Sequence, residues 1–397
     1  VSAPAAEPIR ILYVARLAFA HWRFLDGQNA YLRARGFEIH AAAAPDRWLD
    51  RVTARDGAVC HPVRISPRAV APFADLLALV QLFHIIRRVR PHVVHVSTPK
   101  AALLGAVAAW AARVPVRLFL ARGSSTTDAR GLRRRLYRLL ERATARLCTD
   151  TACVSPSLLA HLRAEGVLRP DEGWVAARGT SNGVRAVRFA RPADAPEVGP
   201  VVGYVGRLAA GKGIETLAAA WARVREAHPG ARLLLVGRWD DDHPVDPALR
   251  RALETAPRVE CTGHVDDPAP ALHRMAVAAF PSPAEGFPNA PLEAAAAGLP
   301  VVGMRTVGMV DAVVDGVTGA LVPVGDAEAL ADAILRYLRD PALAREHGRA
   351  GCLRVARDFA PEPVWAAMHA RYLALLGAAP AAAMGGEDAS ALTPMLP

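Results

Sequence analysis

Lysine is nearly missing from this 397-residue chain: of 48 basic residues, only Lys100 and Lys212 are not arginine. A chain that uses arginine wherever a generic positive charge will serve singles out the two places where it does not. A compact ammonium and a planar guanidinium are not interchangeable. Cysteine is sparse as well. Cys60, Cys148, Cys153, Cys261 and Cys352 are odd in number and lack the close pairing of a zinc site or disulfide framework, so reduced thiols in a cytoplasmic protein are expected. Aromatic residues make up 6% of the chain and no nucleic-acid motif accompanies its basic charge, which argues against nucleic acid as a partner. Long apolar runs are missing too: residues 101–121 are interrupted by Arg113, Pro115 and Arg117. Neither a membrane span nor a signal peptide is expected.

What is present is enough apolar material, 52% of the residues, for more than one buried core, in a chain long enough for two domains. The formal charge of +10 is unevenly distributed. Residues 1–190 hold 29 Lys and Arg against 13 Asp and Glu, a net of +16, and residues 191–397 hold 19 against 25, a net of −6. A basic front half without nucleic-acid signals points to an anionic membrane surface or an anionic acceptor.

The front half alternates strand-like and helix-like segments. Ile9–Ala15 reads as a buried strand, Leu25–Arg35 as a helix stopped by Gly36, and Phe37–Ala44 as a second strand. A helix over Leu76–Arg90 feeds a strand at Val93–Ser97, with another strand at Val114–Ala121. Such alternation favours an α/β architecture with a parallel sheet covered on both faces, whose ligands lie at the carboxyl ends of the strands. Residues 191–200, with three prolines, read as a linker between a first domain, 1–190, and a second, 201–358. A terminal helix is expected within 359–376, and the Ala-, Gly- and Pro-rich residues 377–397 are expected to be disordered.

The second domain is organised around Pro281–Gly298, PSPAEGFPNAPLEAAAAG. The apolar run Met275–Phe280 reads as a strand before it, and Leu292–Ala297 as a helix after it. A strand, loop and helix start offers free backbone N–H groups to an anion, and a carboxylate one turn into the helix can reach a hydroxyl. That suits a phosphorylated sugar. Earlier in the same domain, the strand Val201–Gly206 opens the loop RLAAGKG. The loop is neither a P-loop nor a complete dinucleotide fingerprint, but Arg207 and Lys212 could converge on a diphosphate, one as a fork and the other as a point charge. A solvated loop is the competing account.

Three features of the front half have less specific readings. His95, Ser97 and Lys100 lie in HVSTPKA, and Arg122 and Gly123 in LARGSS; each could be a functional strand end or an ordinary surface loop. In residues 129–147 leucines recur at helical spacing among seven arginines and one glutamate. This Arg130–Arg146 helix either packs its leucines on the core with a solvated basic face, or binds an anionic lipid surface. Asp240, Asp241 and Asp242 have an Asp-x-Asp spacing able to hold a divalent cation, but their setting beside His243 and Pro244 reads as a polar turn.

VGRLAAGKGIETL, LLLVG, the Glu285–Glu293 pattern within PSPAEGFPNAPLEAAAAGLPVVG and DGVTGALVPVGD together resemble the retaining glycosyltransferases of family 4. PHVVHVSTPKAALLG, Arg122-Gly123 and TSNGV look like their capsular-polysaccharide and lipid-linked-sugar branch. The resemblance implies a GT-B fold, two Rossmann-like domains across a cleft, with the terminal helix crossing back to the first. It implies a UDP-sugar donor and no metal or other cofactor. Arg207, Lys212 and Glu285 would be catalytic; Gly206, Phe287, Asn289 and Ala290 would line the nucleotide-sugar site, and Glu293 would accept from the ribose. His95, Lys100, Arg122 and Asn182 would face the sugar or a lipid-linked acceptor. The reaction expected is retaining transfer of an N-acetylhexosamine-type sugar at the cytoplasmic membrane face. A soluble transferase with a small-molecule acceptor and a non-catalytic sugar-nucleotide-binding protein are the alternatives. The chain departs from many relatives in its bulky loop Arg16–Phe24, where a glycine pair is usual, and in carrying Arg122 where histidine is common.

Overall fold

Phe37–Ala44 and Val93–Ser97 are apolar along almost their whole length, a pattern that fits strands covered on both faces. The computed structural model, which describes residues 7–66, 71–127, 129–192 and 199–377, has both as inner strands of a parallel sheet. In the first domain the elements run β1 (Ile9–Leu17), α1 (Ala18–Phe24), α2 (Gln28–Arg33), β2 (Phe37–Ala44), α3 (Arg47–Asp56), β3 (Val59–Pro62), α4 (Pro72–Val89) and β4 (Val93–Ser97). They continue with α5 (Pro99–Ala111), β5 (Val116–Ala121), α6 (Gly131–Leu147), β6 (Asp150–Cys153), α7 (Pro156–Ala164), β7 (Trp174–Val175) and α8 (Ala186–Phe189). The sheet order is β3-β2-β1-β4-β5-β6-β7, so the winding reverses between β1 and β4.

The second domain repeats the plan with β8 (Val201–Val205), α9 (Ile214–Ala227), β9 (Arg232–Val236), α10 (Pro247–Thr255), β10 (Val259–Gly263), α11 (Ala269–Leu272) and β11 (Val277–Phe280). It ends with α12 (Asn289–Ala296), β12 (Val301–Met304), α13 (Met309–Ala312), β13 (Gly319–Val322), α14 (Ala327–Arg339) and α15 (Pro341–Asp358). The order β10-β9-β8-β11-β12-β13 puts the reversal between β8 and β11. Ligands of open parallel sheets bind outside the strand ends at such a reversal. The two loops leaving it are those that carry Arg207 and Lys212, and Glu285 to Asn289.

A last helix, α16 (Pro361–Leu375), returns to the first domain. Trp365 Nε1 donates to Asn182 Oδ1 at 2.7 Å, Arg371 bonds both carboxylate oxygens of Asp150, and Tyr372 packs on His95 and Phe37. Five helices, α3, α7, α10, α14 and α15, begin at an Asp or Ser whose side chain accepts from first-turn N–H groups.

Several expectations are revised. The loop expected over Arg16–Phe24 is the end of β1 followed by α1, and the helix expected over Leu25–Arg35 shortens to α2 because Gly27, at φ +76°, separates the two. Helix α12 begins at Asn289 rather than Leu292; Pro291 is accommodated since first-turn N–H groups have no intrahelical partner to lose. The leucines of α6 face outward: Leu132 is 81% exposed and Leu136, Leu139 and Leu140 are exposed too, while Glu141 and Thr144 form the buried side. All five thiols are free. Among the described residues no helix is long and apolar enough to cross a membrane. Residues 378–397 and most of the 191–200 linker lie outside the described residues.

Candidate active site between the two domains

The loop after β8 is pressed against the end of β11. A Cβ on Gly213, at φ +73°, would lie 2.0 Å from the Pro281 carbonyl oxygen, so glycine is required for the two loops to meet. Their contact brings Lys212 Nζ to 2.6 Å from Glu285 Oε1. Arg207 pairs with Asp240, whose carboxylate also accepts from the backbone N–H groups of Asp242 and His243. Burial opposes ionisation of Asp240, but those amides and the guanidinium outweigh it and hold its pKa below the ordinary aspartate value. The aspartate run is therefore the polar turn that its neighbours suggest, and it also orients Arg207. Among the described residues no three His, Cys, Asp or Glu side chains gather as a metal site.

Helix α12 starts in the same corner. No side chain caps it, which leaves the first-turn amides of Asn289 and Ala290 directed at the mouth of the site. Phe287 is not in the cleft lining as a free ring: it is buried, packed against Phe359. Glu293, one turn further, has a side chain only 5% exposed and forms an ion pair with Arg23 of α1, in the other domain. A buried carboxylate needs such a partner, and Arg23 supplies it from the bulky basic segment Arg16–Phe24.

The first domain closes over these loops. A Cβ on Gly286 would come within 1.9 Å of the Arg122 carbonyl oxygen, so the Arg122-Gly123 segment rests directly on the Glu285-Gly286 backbone. Ser155 Oγ donates to the Gly286 carbonyl at 2.8 Å. Ser157 bonds the Asp311 carboxylate through its amide and hydroxyl and accepts from Gly308 N–H at 2.7 Å. Thr180 Oγ1 lies 3.4 Å from Asn289 Oδ1.

Beneath Arg122 is a buried polar group. Tyr13 on β1 and His95 on β4 are paired in register, their rings 5.0 Å apart, and Tyr372 Oη is 2.6 Å from His95 Nδ1. His95, 2% exposed, is part of the strand rather than of the loop after it. Burial, then the charge of Arg122, pushes its pKa well below the ordinary histidine value. Burial likewise raises both tyrosines and lowers Arg122 to about 10, so at neutral pH the cluster is neutral except for the guanidinium.

The structure thus gathers Arg207, Lys212, Glu285, Asn289, Ala290, Glu293 and Arg122 around one cleft. Besides Phe287, it places two expected residues elsewhere. Lys100 Nζ pairs with Asp75 of α4 at 2.6 Å and reaches the Ser66 carbonyl, so its ammonium ties α5 to α4. Asn182 spends its amide on the Asp26 carbonyl and Trp365 Nε1, linking the first domain to α16. Arg23, Tyr13, Tyr372, Ser155 and Ser157 were not anticipated. Their partners are distant in sequence and no local motif marks them; the one available signal was the basic Arg16–Phe24 segment.

Comparison with known proteins agrees with this geometry. A family model described as "Glycosyl transferases group 1" matches residues 199–340, and one described as "Glycosyl transferase 4-like domain" matches residues 22–175. The capsular polysaccharide biosynthesis glycosyltransferase CapM of Staphylococcus aureus is 28% identical over 356 residues, 88% of this chain and 93% of that protein. A glycogen synthase of Mycobacterium tuberculosis is 38% identical over 197 residues, 49% of this chain and 47% of that one. Among solved structures, sucrose-phosphate synthase from Thermosynechococcus elongatus superimposes with a TM-score of 0.75 at 23% identity, covering 93% of this chain and 99% of that one. Anabaena HepE in complex with UDP gives 0.74 at 18%, covering 92% and 99%. One glycosyltransferase model thus matches within the first sheet domain and another within the second, and the chain has the two-domain GT-B fold of the solved structures it superimposes on.

Proposed function

We propose that the protein moves a sugar of the N-acetylhexosamine type from UDP to a lipid-linked or anionic saccharide acceptor, with retention of configuration and without a divalent metal, at the cytoplasmic face of a membrane. The observation that carries the reading is the meeting of Lys212, Arg207, Glu285, the uncapped start of α12 and Glu293 at the strand reversal of the second sheet. In the reaction the bond between the sugar's anomeric carbon and the β-phosphate oxygen breaks, and the electron pair leaves with the nucleoside diphosphate. Lys212 and Arg207 stabilise that charge, and the α12 amides add to it. Each cation is paired with a carboxylate, so binding a phosphate exchanges one anionic partner for another. The acceptor oxygen bonds to the anomeric carbon on the face the diphosphate leaves, and its proton passes to a phosphate oxygen. Glu285 positions the sugar and holds Lys212; it forms no covalent intermediate. Glu293 accepts from the ribose once Arg23 releases it.

Support for UDP comes from the ligand of the Anabaena protein, and support for the acceptor from the capsular relative and from a lipopolysaccharide core mannosyltransferase of Rhizobium leguminosarum, 33% identical over 181 residues. The membrane reading rests on three adjacent helices of the first domain. Leu132, Leu136 and Leu139 of α6, Trp110 of α5, and Phe73, Leu76 and Leu77 of α4 all reach solvent. Arginine flanks the α6 stripe. An anionic lipid surface matches both the apolar and the basic character.

The purified chain, given UDP-N-acetylglucosamine and a lipid-linked saccharide, is expected to release UDP, unaffected by EDTA. Lys212→Gln should lower kcat by about 10²–10³-fold, the loss typical of one preorganised charge donor. Glu293→Gln should weaken UDP binding by about tenfold, the loss of a charge-assisted hydrogen bond. UDP binding without release across a panel of nucleotide sugars and acceptors would make this a non-catalytic binding protein. Release dependent on added Mn²⁺ would remove the metal-independent mechanism.

A further inference from the structure

Among the described residues, three polar atoms of the cluster beneath Arg122 are buried without a hydrogen-bond partner, Arg122 Nε and Nη1 and His95 Nε2, and the Tyr13 hydroxyl beside them interacts with that of Tyr372. Native proteins seldom leave even one such atom unpaired, and three in one cluster call for a shared explanation. Their chemistry supplies one, because the guanidinium atoms can only donate and the imidazole nitrogen and the hydroxyl can each donate. Tyr372 Oη is 2.6 Å from His95 Nδ1, and in the tautomer in which the hydroxyl donates, the imidazole proton is on Nε2. Arg122 lies over the Phe24 ring at 4.6 Å, and the groups acting on its charge are the two tyrosines; no carboxylate is among them. Asp56, the nearest acid acting on Tyr13 and His21, is already bound by Arg55 and Asn29. Arg23, Arg207 and Lys212 each have an acidic partner, and among the described residues Arg122 has none.

We infer that Arg122, Tyr13 and His95 form a subsite for a carboxylate carried by a sugar, so that the enzyme recognises an acidic saccharide. A half-buried cation whose Nε and Nη1 are enclosed and unpaired, beside further groups able to donate, is complementary to a group that only accepts and that bears a negative charge. The diphosphate has its own cations on the other wall of the cleft, whereas the Arg122 backbone rests on Gly286, beside the glutamate that positions the transferred sugar. A carboxylate at the sugar's C6 and an acetamido group at C2 can coexist on one ring, so the subsite is compatible with the donor type proposed above. The carboxylate comes either on the donor sugar or on the acceptor residue beside it. The inference rests on the glycosyltransferase reading of the cleft.

The test compares ligands that differ in the carboxylate alone. Calorimetric titration of the full chain with UDP-glucuronate and UDP-glucose forms the donor arm. Methyl glucuronide and methyl glucoside, titrated in the presence of UDP, form the acceptor arm. In one arm the carboxylated ligand should bind on the order of tenfold tighter or more, the range for a charge-assisted bond in a buried site. Arg122→Gln should abolish that preference, and Tyr13→Phe, which removes one hydroxyl, should reduce it. UDP alone should bind both variants as it binds the wild type, and that control also shows that they fold. If UDP does not bind the wild type, the donor site itself is wrong. If UDP binds but neither arm shows a preference, or the preference survives Arg122→Gln, the carboxylate subsite is wrong and the unpaired donors serve ordered water.

Discussion

His21 is 3% exposed, its Nε2 lies 3.3 Å from the Ala42 carbonyl, and burial, partly offset by that carbonyl, lowers its pKa to about 4. His40, His61, His92, His95, His161, His347 and His369 are all shifted the same way, chiefly by burial. Folded histidines with depressed pKa values bind fewer protons than the unfolded chain does. Their stabilising effect is therefore complete above the unfolded value near 6.5 and is lost as pH falls toward about 4. For His21 alone the full loss is on the order of 3 kcal/mol. Urea denaturation at pH 7.5, 6 and 5 should show stability falling across a range where carboxylates scarcely titrate, and His21→Asn should flatten that slope. A pH-independent midpoint would mean that these histidines protonate without cost. The same residues show what single positions conceal. Lys212, Glu285 and Glu293 were legible because the fold forces local spacing on them. Arg23 was not, since its partner Glu293 is 270 residues away and only tertiary packing joins them.

At the scale of elements, period and composition located β2 and β4 to the residue, because each is a continuous apolar segment whose ends are marked locally. They failed at α6, where a helical repeat of leucines shows that a stripe exists but not which side the protein covers. Near 100° per residue, Leu132, Leu136 and Leu139 share one side, Arg135 and Arg142 flank it, and Glu141 lies opposite, bonded to Ser124 and to the Ser125 amide. The side that packs on the domain is thus the polar one, fixed by a single buried glutamate. Arg134 is occupied with Glu165 at 2.6 Å and contributes less to any external surface. Flotation with vesicles of phosphatidylcholine and phosphatidylglycerol should retain the protein. Arg135→Gln with Arg142→Gln should weaken binding by roughly thirtyfold at low salt, from about 1 kcal/mol per charge. Leu136→Ser with Leu139→Ser should release the protein even at low salt. Wild-type protein that ignores anionic vesicles would confine these helices to a solvent-facing role.

In the whole molecule, two sheets of the same construction are made into one catalytic body by contacts that neither half contains. Alternation of strands and helices was enough to read two such domains, since it follows from the period of each segment. It could not place them relative to each other, because the cleft is set by single contacts such as Gly286 on Arg122 and Ser157 on Asp311. Helix α16 is the longest of these ties. Trp365 is buried, packs beside Tyr31, donates to Asn182, and occupies the space where a side chain on Gly27 would lie. Through Asn182 it also steadies the Asp26 carbonyl, just after the α1 segment that carries Arg23 to Glu293. Removing a buried tryptophan costs about 3–5 kcal/mol, and here the loss falls on the junction rather than on either core. Trp365→Ala should therefore split a single urea transition into two, one per domain, and should raise the KM for donor more than it lowers kcat, because each half-site survives but the two no longer meet. A variant that unfolds in one step at lower urea, with KM unchanged, would show that Trp365 serves packing alone and that the cleft is held by the loop contacts without it.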